Sequence, residues 1–187
     1  MDVLIDLDGT LTDPKAGIIG SVQYALQRLS MPVPEMDALH WTIGPPLRES
    51  FPKLGVAAGD IETALGHYRE RYRDGGMYDA TVYAGVPEAL DALVLAGCRL
   101  IVATSKPHPF AKPILRHFDL SSRFAAIHGA ELDGRNDDKV DLIAHIIATE
   151  GVDPERAIMV GDRLFDVRGA AKNGIRSIGA LWGYGGL

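Results

Sequence analysis

Apolar and polar residues follow two different spacings along the chain. In KAGIIGSVQYALQRL and IETALGHYRERY the apolar residues recur every three or four positions, which predicts two amphipathic helices. From about Ala84 onward, short apolar runs alternate with amphipathic stretches, which predicts strands and helices in turn. One further apolar run, from Val3 to Leu7, predicts a buried strand near the start of the chain. The later predicted strands are RLIVAT, FAAIHG, AIMVGD and IRSIGAL.

This order of elements predicts the fold class and the domain organisation. Strands that alternate with helices form βαβ units, so we expect an α/β protein with a Rossmann-like, doubly wound parallel sheet. Helical sequence separates the first strand from the others, and MPVPEMDALHWTIGPPLRESFPKLG within it predicts loops and short helical turns. We therefore expect a core built from residues 1–13 and 83–187, with residues 14–82 inserted as an α-helical cap.

Composition and charge narrow the class of protein. A content of 47% hydrophobic and 24% charged residues is typical of soluble globular domains. No apolar run approaches the ~18 residues that span a bilayer, and a formal charge of −6 without a basic run argues against nucleic acid as a partner. We expect a cytoplasmic protein with no membrane partner, in which a few local cations hold any anionic substrate; the oligomeric state stays open.

The first predicted strand ends in an unusual pair of carboxylates. LIDLDGTLTD places Asp6 and Asp8 one residue apart, directly after apolar positions. Buried carboxylates this close repel each other unless a cation or a shared proton intervenes. This stretch therefore predicts a functional site.

The carboxyl ends of the other predicted strands supply matching chemistry. These ends meet at one edge of a parallel sheet. We therefore expect convergence of three strand ends, namely Asp6–Gly9, Thr104–Lys106 and Asp162, with Asp166 one helical turn further on. Lys139, at the start of a predicted helix, adds a cation. Carboxylate oxygens suit Mg²⁺, whereas hydroxyls, backbone amides and a lysine suit phosphoryl oxygens. The edge is thus a candidate site for a metal ion and a phosphate.

These residues also form an ordered set of motifs. DLDGTL, IVATSK, DDKVDLI and GDRLFD occur in the order in which the haloacid dehalogenase superfamily carries DxDGT(L/V), a Thr or Ser, a Lys and an acidic pair. The sequence resembles this superfamily over most of its length. The helical insertion and its segment GPPLRESF resemble the phosphoglycolate phosphatase-like branch with a small helical cap.

The resemblance implies roles for the two carboxylates of the first motif and for its turn. Asp6 would be the nucleophile that forms an aspartyl-phosphate, and also a metal ligand. Asp8 would act as general acid and then as base, with its backbone carbonyl rather than its carboxylate toward the metal. Gly9 and Thr10 would shape the turn and line the substrate site.

The remaining motifs imply the phosphate and metal contacts. Thr104, together with the backbone amide of Ser105, would contact the transferring phosphoryl group, and Lys139 would offset its charge. Asp162 would bind Mg²⁺, and Asp166 would complete the coordination or orient Lys139. In the cap, Arg48 is a candidate for recognising an anionic substrate, and an exposed arginine without that role is the alternative.

The second aspartate also favours one reaction. A halide leaving group needs no proton but an alkoxide does, so Asp8 favours phosphate ester hydrolysis over dehalogenation. We expect an Mg²⁺-dependent phosphatase acting on a small phosphorylated metabolite, phosphoglycolate-like or a nucleoside monophosphate. The alternatives are a sugar-phosphate mutase and a catalytically silent phosphate- or metal-binding domain. The chain ends LWGYGGL, where members of this superfamily commonly continue into another helix, so we also expect a short C-terminus.

Overall fold

A computed structural model describes residues 1–185 of the chain, so the last two residues of the predicted core lie outside the described residues. The chain divides into two compact units. The first joins Met1–Asp13 to the chain from Val82 onward, and the second is Pro14–Thr81. These boundaries differ by one residue from the expected ones, and the roles of core and cap stay predictions.

The described residues contain seven strands and seven α-helices. The strands are β1 (Asp2–Ile5), β2 (Thr12–Asp13), β3 (Thr81–Val82), β4 (Arg99–Pro107), β5 (Ala126–Ala130), β6 (Ala157–Gly161) and β7 (Arg176–Gly179). The helices are α1 (Lys15–Arg28), α2 (Leu47–Lys53), α3 (Ile61–Arg73), α4 (Val86–Leu95), α5 (His108–His117), α6 (Lys139–Glu150) and α7 (Leu164–Lys172).

The first unit is built on a five-stranded sheet in the order β5-β4-β1-β6-β7, in which every pair is parallel. β1 lies at its centre, with Leu4 beside Ile101 of β4 and Met159 of β6. These three side chains are fully buried, as expected for a strand covered on both faces. The parallel sheet flanked by helices confirms the predicted α/β fold class.

Helices α6 and α7 cover one face of the sheet. Their apolar residues Leu142, Ile143, Ile146 and Ala170 are all fully buried and join Leu4, Ile101, Ala103 and Met159 in one hydrophobic cluster. Helix α6 begins at Lys139 because the Asp138 carboxylate accepts a hydrogen bond from the Val140 N–H at 2.6 Å, an N-cap. This packing fixes the start of α6 at the carboxyl edge of the sheet.

The second unit is helical. Helices α1 and α3 pack against each other, and short 3₁₀ helices occupy Met36–Thr42, Ala58–Asp60 and Gly76–Tyr78. The buried positions of α1, among them Ile19 and Val22, follow the helical spacing of the sequence. The Pro- and Gly-rich stretch contains a 3₁₀ helix and α2, in agreement with the prediction of loops and short helical turns.

Two strand ends differ from the sequence pattern. β1 ends at Ile5 because the Leu7 carbonyl accepts the N–H groups of Leu11 and Thr12, which starts a turn. β4 runs on to Pro107 through an irregularity in its pairing with β5 between Thr104 and Pro107. Within residues 1–185, no helix is both long and apolar enough to cross a membrane.

Candidate functional site

The carboxyl ends of β1 and β6 place two aspartates at one edge of the sheet. Asp6 follows β1, and its N–H donates to the Val160 carbonyl at 2.9 Å. The Leu7 N–H donates to Asp6 Oδ1 at 2.8 Å, which fixes the carboxylate at the start of the turn. Asp162 follows β6. Both side chains are buried, so sheet topology brings together residues that are far apart in sequence.

The turn after Asp6 depends on Gly9. Its φ of 84° lies in the left-handed region that favours glycine, and its N–H donates to the Thr12 carbonyl at 2.8 Å. A Cβ at this position would lie 2.3 Å from Asp162 Oδ2. Thr10 also reaches this carboxylate, because its Oγ1 donates to Asp162 Oδ1 at 3.4 Å. The first motif and Asp162 therefore form one compact site.

Lys139 connects the ends of two strands, β1 and β4, with the first turn of α7. Its Nζ lies 3.0 Å from Asp6 Oδ1 and 2.6 Å from Asp166 Oδ1, and it donates to the Ala103 carbonyl at 2.7 Å. The lysine side chain is only 4% exposed. Gly169 permits the close approach of α6 and α7, since a Cβ there would lie 2.9 Å from the Lys139 backbone. Lys139 thus supplies the buried cation that the carboxylates need.

Asp6, Asp162 and Asp166 form a cluster that could hold a metal ion. One carboxylate oxygen from each lies within 4.8 Å of the others, and all three residues are buried. Asp166 is held by its Oδ2, which accepts the Arg163 N–H at 2.9 Å. Gly161 leaves room for it, because a Cβ there would lie 2.2 Å from Asp166 Cγ. Three hard oxygen donors in this arrangement fit Mg²⁺.

The charges of the site also favour a bound Mg²⁺ ion. The site contains four carboxylates and two ammonium groups: Asp6, Asp8, Asp162, Asp166, Lys106 and Lys139. With all six groups ionised, the carboxylates exceed the ammonium groups by two negative charges, which the nearby Arg163 offsets only at Asp162. A divalent cation would neutralise them, whereas burial without one is unfavourable.

Burial shifts the pKa values of the ionisable groups in this site. It raises the pKa of Asp166 to about 6, against the opposing effect of Lys139. Burial also raises the pKa of Asp162, although the Tyr184 N–H acts in the opposite direction. For Lys139, burial alone would lower the pKa, but Asp166 and Asp6 outweigh it and raise the pKa. Shifted carboxylates beside a buried lysine are typical of functional sites.

The structure gives a partner to Lys106, which the sequence placed among the converging strand ends without a role. Its Nζ lies 2.9 Å from Asp8 Oδ2, and the two side chains are 5% and 13% exposed. Burial raises the pKa of Asp8, and Lys106 opposes this shift. The carboxylate of Asp8 is thus engaged by Lys106 and is not one of the three grouped acids, which is compatible with a backbone role toward the metal. Lys106 follows Thr104 and Ser105 in the sequence, so its place at a strand end was the available signal.

The structure adds the segment Trp182–Gly185 to the site. The Tyr184 N–H donates to Asp162 Oδ2 at 2.7 Å, its hydroxyl bonds Asp13, and Trp182 Nε1 donates to the Thr10 carbonyl at 3.1 Å. Burial and the neighbouring Asp13 raise the pKa of Tyr184. The sequence offers only the pattern of glycines and aromatics as a signal, because the donor to Asp162 is a backbone group.

The other predicted residues are placed as follows. Thr104 is buried in β4 and its Oγ1 accepts the Lys106 N–H at 3.2 Å, and Ser105 beside it is half-buried. Arg48 lies in α2 of the second unit, where Nη1 and Nη2 bond both carboxylate oxygens of Glu62. The structure therefore gives Arg48 a partner within its own unit, and its contact with a substrate stays a prediction.

Buried aspartates and a lysine at the carboxyl edge of a parallel sheet form a candidate site for phosphoryl chemistry in an α/β protein. The sequence matches the family model described as haloacid dehalogenase-like hydrolase over residues 3–180. The chain belongs to this family.

Individual relatives agree with this assignment. A 5'-nucleotidase from Pseudomonas aeruginosa is 47% identical over 185 residues, which cover 98% of this chain and 84% of that protein. The tyrosine-protein kinase PtkA from Mycobacterium tuberculosis is 44% identical over 183 residues, 98% of this chain but 62% of that protein. Proteins named phosphoglycolate phosphatase match at lower identity.

A solved structure shows the same fold. The crystal structure of a predicted phosphatase from Clostridium acetobutylicum superimposes with a TM-score of 0.93 at 41% identity, covering 98% of this chain and 86% of that one. The predicted family and the predicted enzyme class, a phosphomonoester hydrolase of the haloacid dehalogenase type, are confirmed at this level.

Proposed function

We propose that the protein is an Mg²⁺-dependent phosphatase that hydrolyses a small phosphorylated metabolite through an aspartyl-phosphate. The observation that carries the proposal is the convergence of Asp6, Lys139 and Asp166, with Lys139 Nζ 3.0 Å and 2.6 Å from the two carboxylates. A nucleophilic carboxylate beside a buried cation suits attack on an anionic phosphate ester.

The contacts of Asp6 support one of its two carboxylate oxygens as the attacking atom. Its Oδ1 is held by the Leu7 N–H at 2.8 Å and by Lys139 Nζ at 3.0 Å. Attack is therefore assigned to Oδ2, which forms a bond to phosphorus as the bond from phosphorus to the leaving oxygen breaks. Asp8 donates its proton to that oxygen. In the second step Asp8 takes a proton from a water molecule, which attacks phosphorus, and Asp6 leaves as a carboxylate with release of inorganic phosphate.

The remaining residues bind and orient. Thr104, Ser105, Gly9 and Thr10 would contact the phosphoryl group, and Lys139 would stabilise its charge. Mg²⁺ would be held by carboxylate oxygens of Asp6, Asp162 and Asp166 together with the Asp8 backbone carbonyl. When bound, it supplies positive charge to the phosphoryl oxygens.

The names of two kinds of relatives support the proposed substrate class. One is named 5'-nucleotidase and others phosphoglycolate phosphatase, so a nucleoside monophosphate or a phosphoglycolate-like ester is proposed. Residues 14–82 would act as the cap that selects between them, with Arg48 as a candidate contact. A cytoplasmic location and the absence of nucleic-acid or membrane partners stay predictions from composition.

Phosphoryl transfer to a tyrosine is the second candidate, because a relative at 44% identity is named a tyrosine-protein kinase. A kinase would place label from ATP on tyrosine in a polymer substrate, with little release of inorganic phosphate. A sugar-phosphate mutase would require a bisphosphate for turnover, and a silent domain would bind Mg²⁺ without any turnover.

The deciding experiment measures phosphate release from p-nitrophenyl phosphate with Mg²⁺ and with EDTA. It compares the native chain with Asp6→Asn and with Asp60→Asn, a control at an exposed position of the second unit. We expect release that requires Mg²⁺, is lost in Asp6→Asn and is retained in Asp60→Asn. Release that persists in Asp6→Asn would refute the aspartyl-phosphate mechanism, and release unaffected by EDTA would refute the metal requirement.

A further inference from the structure

Lys106 lies near the end of β4, where the strand departs from regular pairing. Thr104 pairs with Gly129 of β5 and Pro107 with Ala130, so two residues of β4 lie between neighbouring pairs. Such a bulge changes the direction in which side chains leave a strand. Gly129 permits this path, because a Cβ there would lie 2.5 Å from the Lys106 carbonyl and 2.9 Å from the His108 nitrogen.

The irregular strand end brings Lys106 to one particular carboxylate. Its Nζ lies 2.9 Å from Asp8 Oδ2, with the lysine side chain 5% exposed. The backbone is fixed as well, since the Lys106 N–H donates to Thr104 Oγ1 at 3.2 Å. Hydrogen bonds therefore hold Lys106 both at its backbone and at its ammonium group.

The site thus contains two buried ammonium groups with different partners. Lys139 contacts Asp6 and Asp166, whereas Lys106 contacts Asp8. Taking a lysine and a carboxylate out of water is unfavourable, and apolar residues of similar volume are often at least as stable. Asp8 is the proposed general acid and base. Its buried pair with Lys106 is therefore better explained by a role in orienting Asp8 than by a contribution to the stability of the fold.

We propose that Lys106 is a positioning residue that fixes the Asp8 carboxyl group for proton transfer to and from the leaving-group oxygen. This inference rests on the proposed phosphatase reaction. In that reaction, hydrogen bonding to Oδ2 limits rotation of the carboxyl group, so that its orientation toward the leaving group is set before the ester binds. In this role Lys106 acts through Asp8 rather than by contact with phosphorus or the leaving oxygen.

The test uses two esters that differ in their need for a proton. p-Nitrophenolate leaves without protonation, whereas the alkoxide of β-glycerol phosphate requires it. The rate of the first turnover is measured for both with excess enzyme and Mg²⁺, in the native chain and in Lys106→Met, Lys106→Gln and Lys106→Arg. Lys112→Met, at an exposed position of α5, is the matched control.

We expect Lys106→Met and Lys106→Gln to lower the alkyl-ester rate relative to the aryl-ester rate by ~10²-fold or more, the scale of general acid catalysis. Lys106→Arg should restore part of that ratio, and Lys112→Met should keep it. Asp8→Asn should show the same change, and adding Lys106→Met to it should cause little further loss, because both act on one step.

Three outcomes would overturn the inference: equal losses for both esters, a change only in the enzyme concentration that gives the half-maximal first-turnover rate, or an unchanged ratio in folded Lys106→Met or Lys106→Gln. A loss shared by both esters would instead indicate a structural role, and a change only in the half-maximal enzyme concentration would indicate a role in substrate binding. Absence of turnover in the native chain with either ester would refute the proposed phosphatase function itself. Circular dichroism and thermal unfolding identify which of the Lys106 variants are folded.

Discussion

The segment that holds Asp162 offers a sharp test of the metal site. Gly183 lies against this carboxylate, and a Cβ added to it would be 2.3 Å from the Gly9 carbonyl and 2.4 Å from Asp162 Oδ2. Ordinary contact begins at 3.4 Å, so Gly183→Ala requires a displacement of roughly 1 Å between these groups. Metal–ligand distances tolerate only about ±0.2 Å, so Asp162 would lose its place as a ligand.

The expected result is a weaker affinity for Mg²⁺. Changes in the groups that orient metal ligands typically lower metal affinity ~10- to 100-fold, which corresponds to about 1.4–2.7 kcal/mol. Calorimetric titration of chelator-treated protein with Mg²⁺ measures this without any substrate. Gly179→Ala is the control, because a Cβ there meets nothing within 4 Å. If folded Gly183→Ala binds Mg²⁺ as tightly as Gly179→Ala, the assignment of Asp162 as a ligand held by this segment is wrong.

Three further predictions concern stability, measured by urea unfolding. Lys139→Met should lower the free energy of unfolding of metal-free protein by about 3–5 kcal/mol, because it leaves two buried carboxylates without their cation; an unchanged midpoint would contradict this. Gly129→Ala should destabilise by about 1–3 kcal/mol through the clash with the Lys106 carbonyl, whereas Gly66→Ala, with open space in α3, should stabilise by about 0.5–1 kcal/mol. Equal effects of the two glycine changes would refute the steric argument. Leu142→Ala should destabilise by about 2–5 kcal/mol, since this side chain is fully buried between α6 and the sheet, and a smaller loss would mean that the core collapses around the gap.

Much of the fold could be predicted from the local pattern of apolar and polar residues. The alternation of apolar runs with amphipathic stretches predicted the βαβ order, and the chirality and pairing rules of such units leave few sheet topologies. Asp6 and Asp162 could be placed at one edge because the carboxyl ends of parallel strands always meet there. The strand bounds were less accurate, since β4 continues to Pro107 through a bulge that depends on its pairing with β5.

The second unit shows a different limit of prediction from sequence. The sequence made Arg48 a candidate for recognising an anion, and the structure gives it Glu62 as a partner. A guanidinium group binds any carboxylate of suitable geometry, so its residue type alone does not distinguish a substrate from a neighbouring helix.

The sequence by itself was enough to predict which residues carry the chemistry, because DLDGTL, Lys139 and GDRLFD combine residue types and order that few other arrangements share. Only the tertiary structure decided how those groups are oriented. The pair of Lys106 with Asp8 depends on an irregular strand end, where alternation no longer gives the direction of a side chain. The N–H that Tyr184 donates to Asp162 belongs to the backbone, and every residue except proline carries such a donor. Its position comes from long-range packing, which residue types alone do not specify.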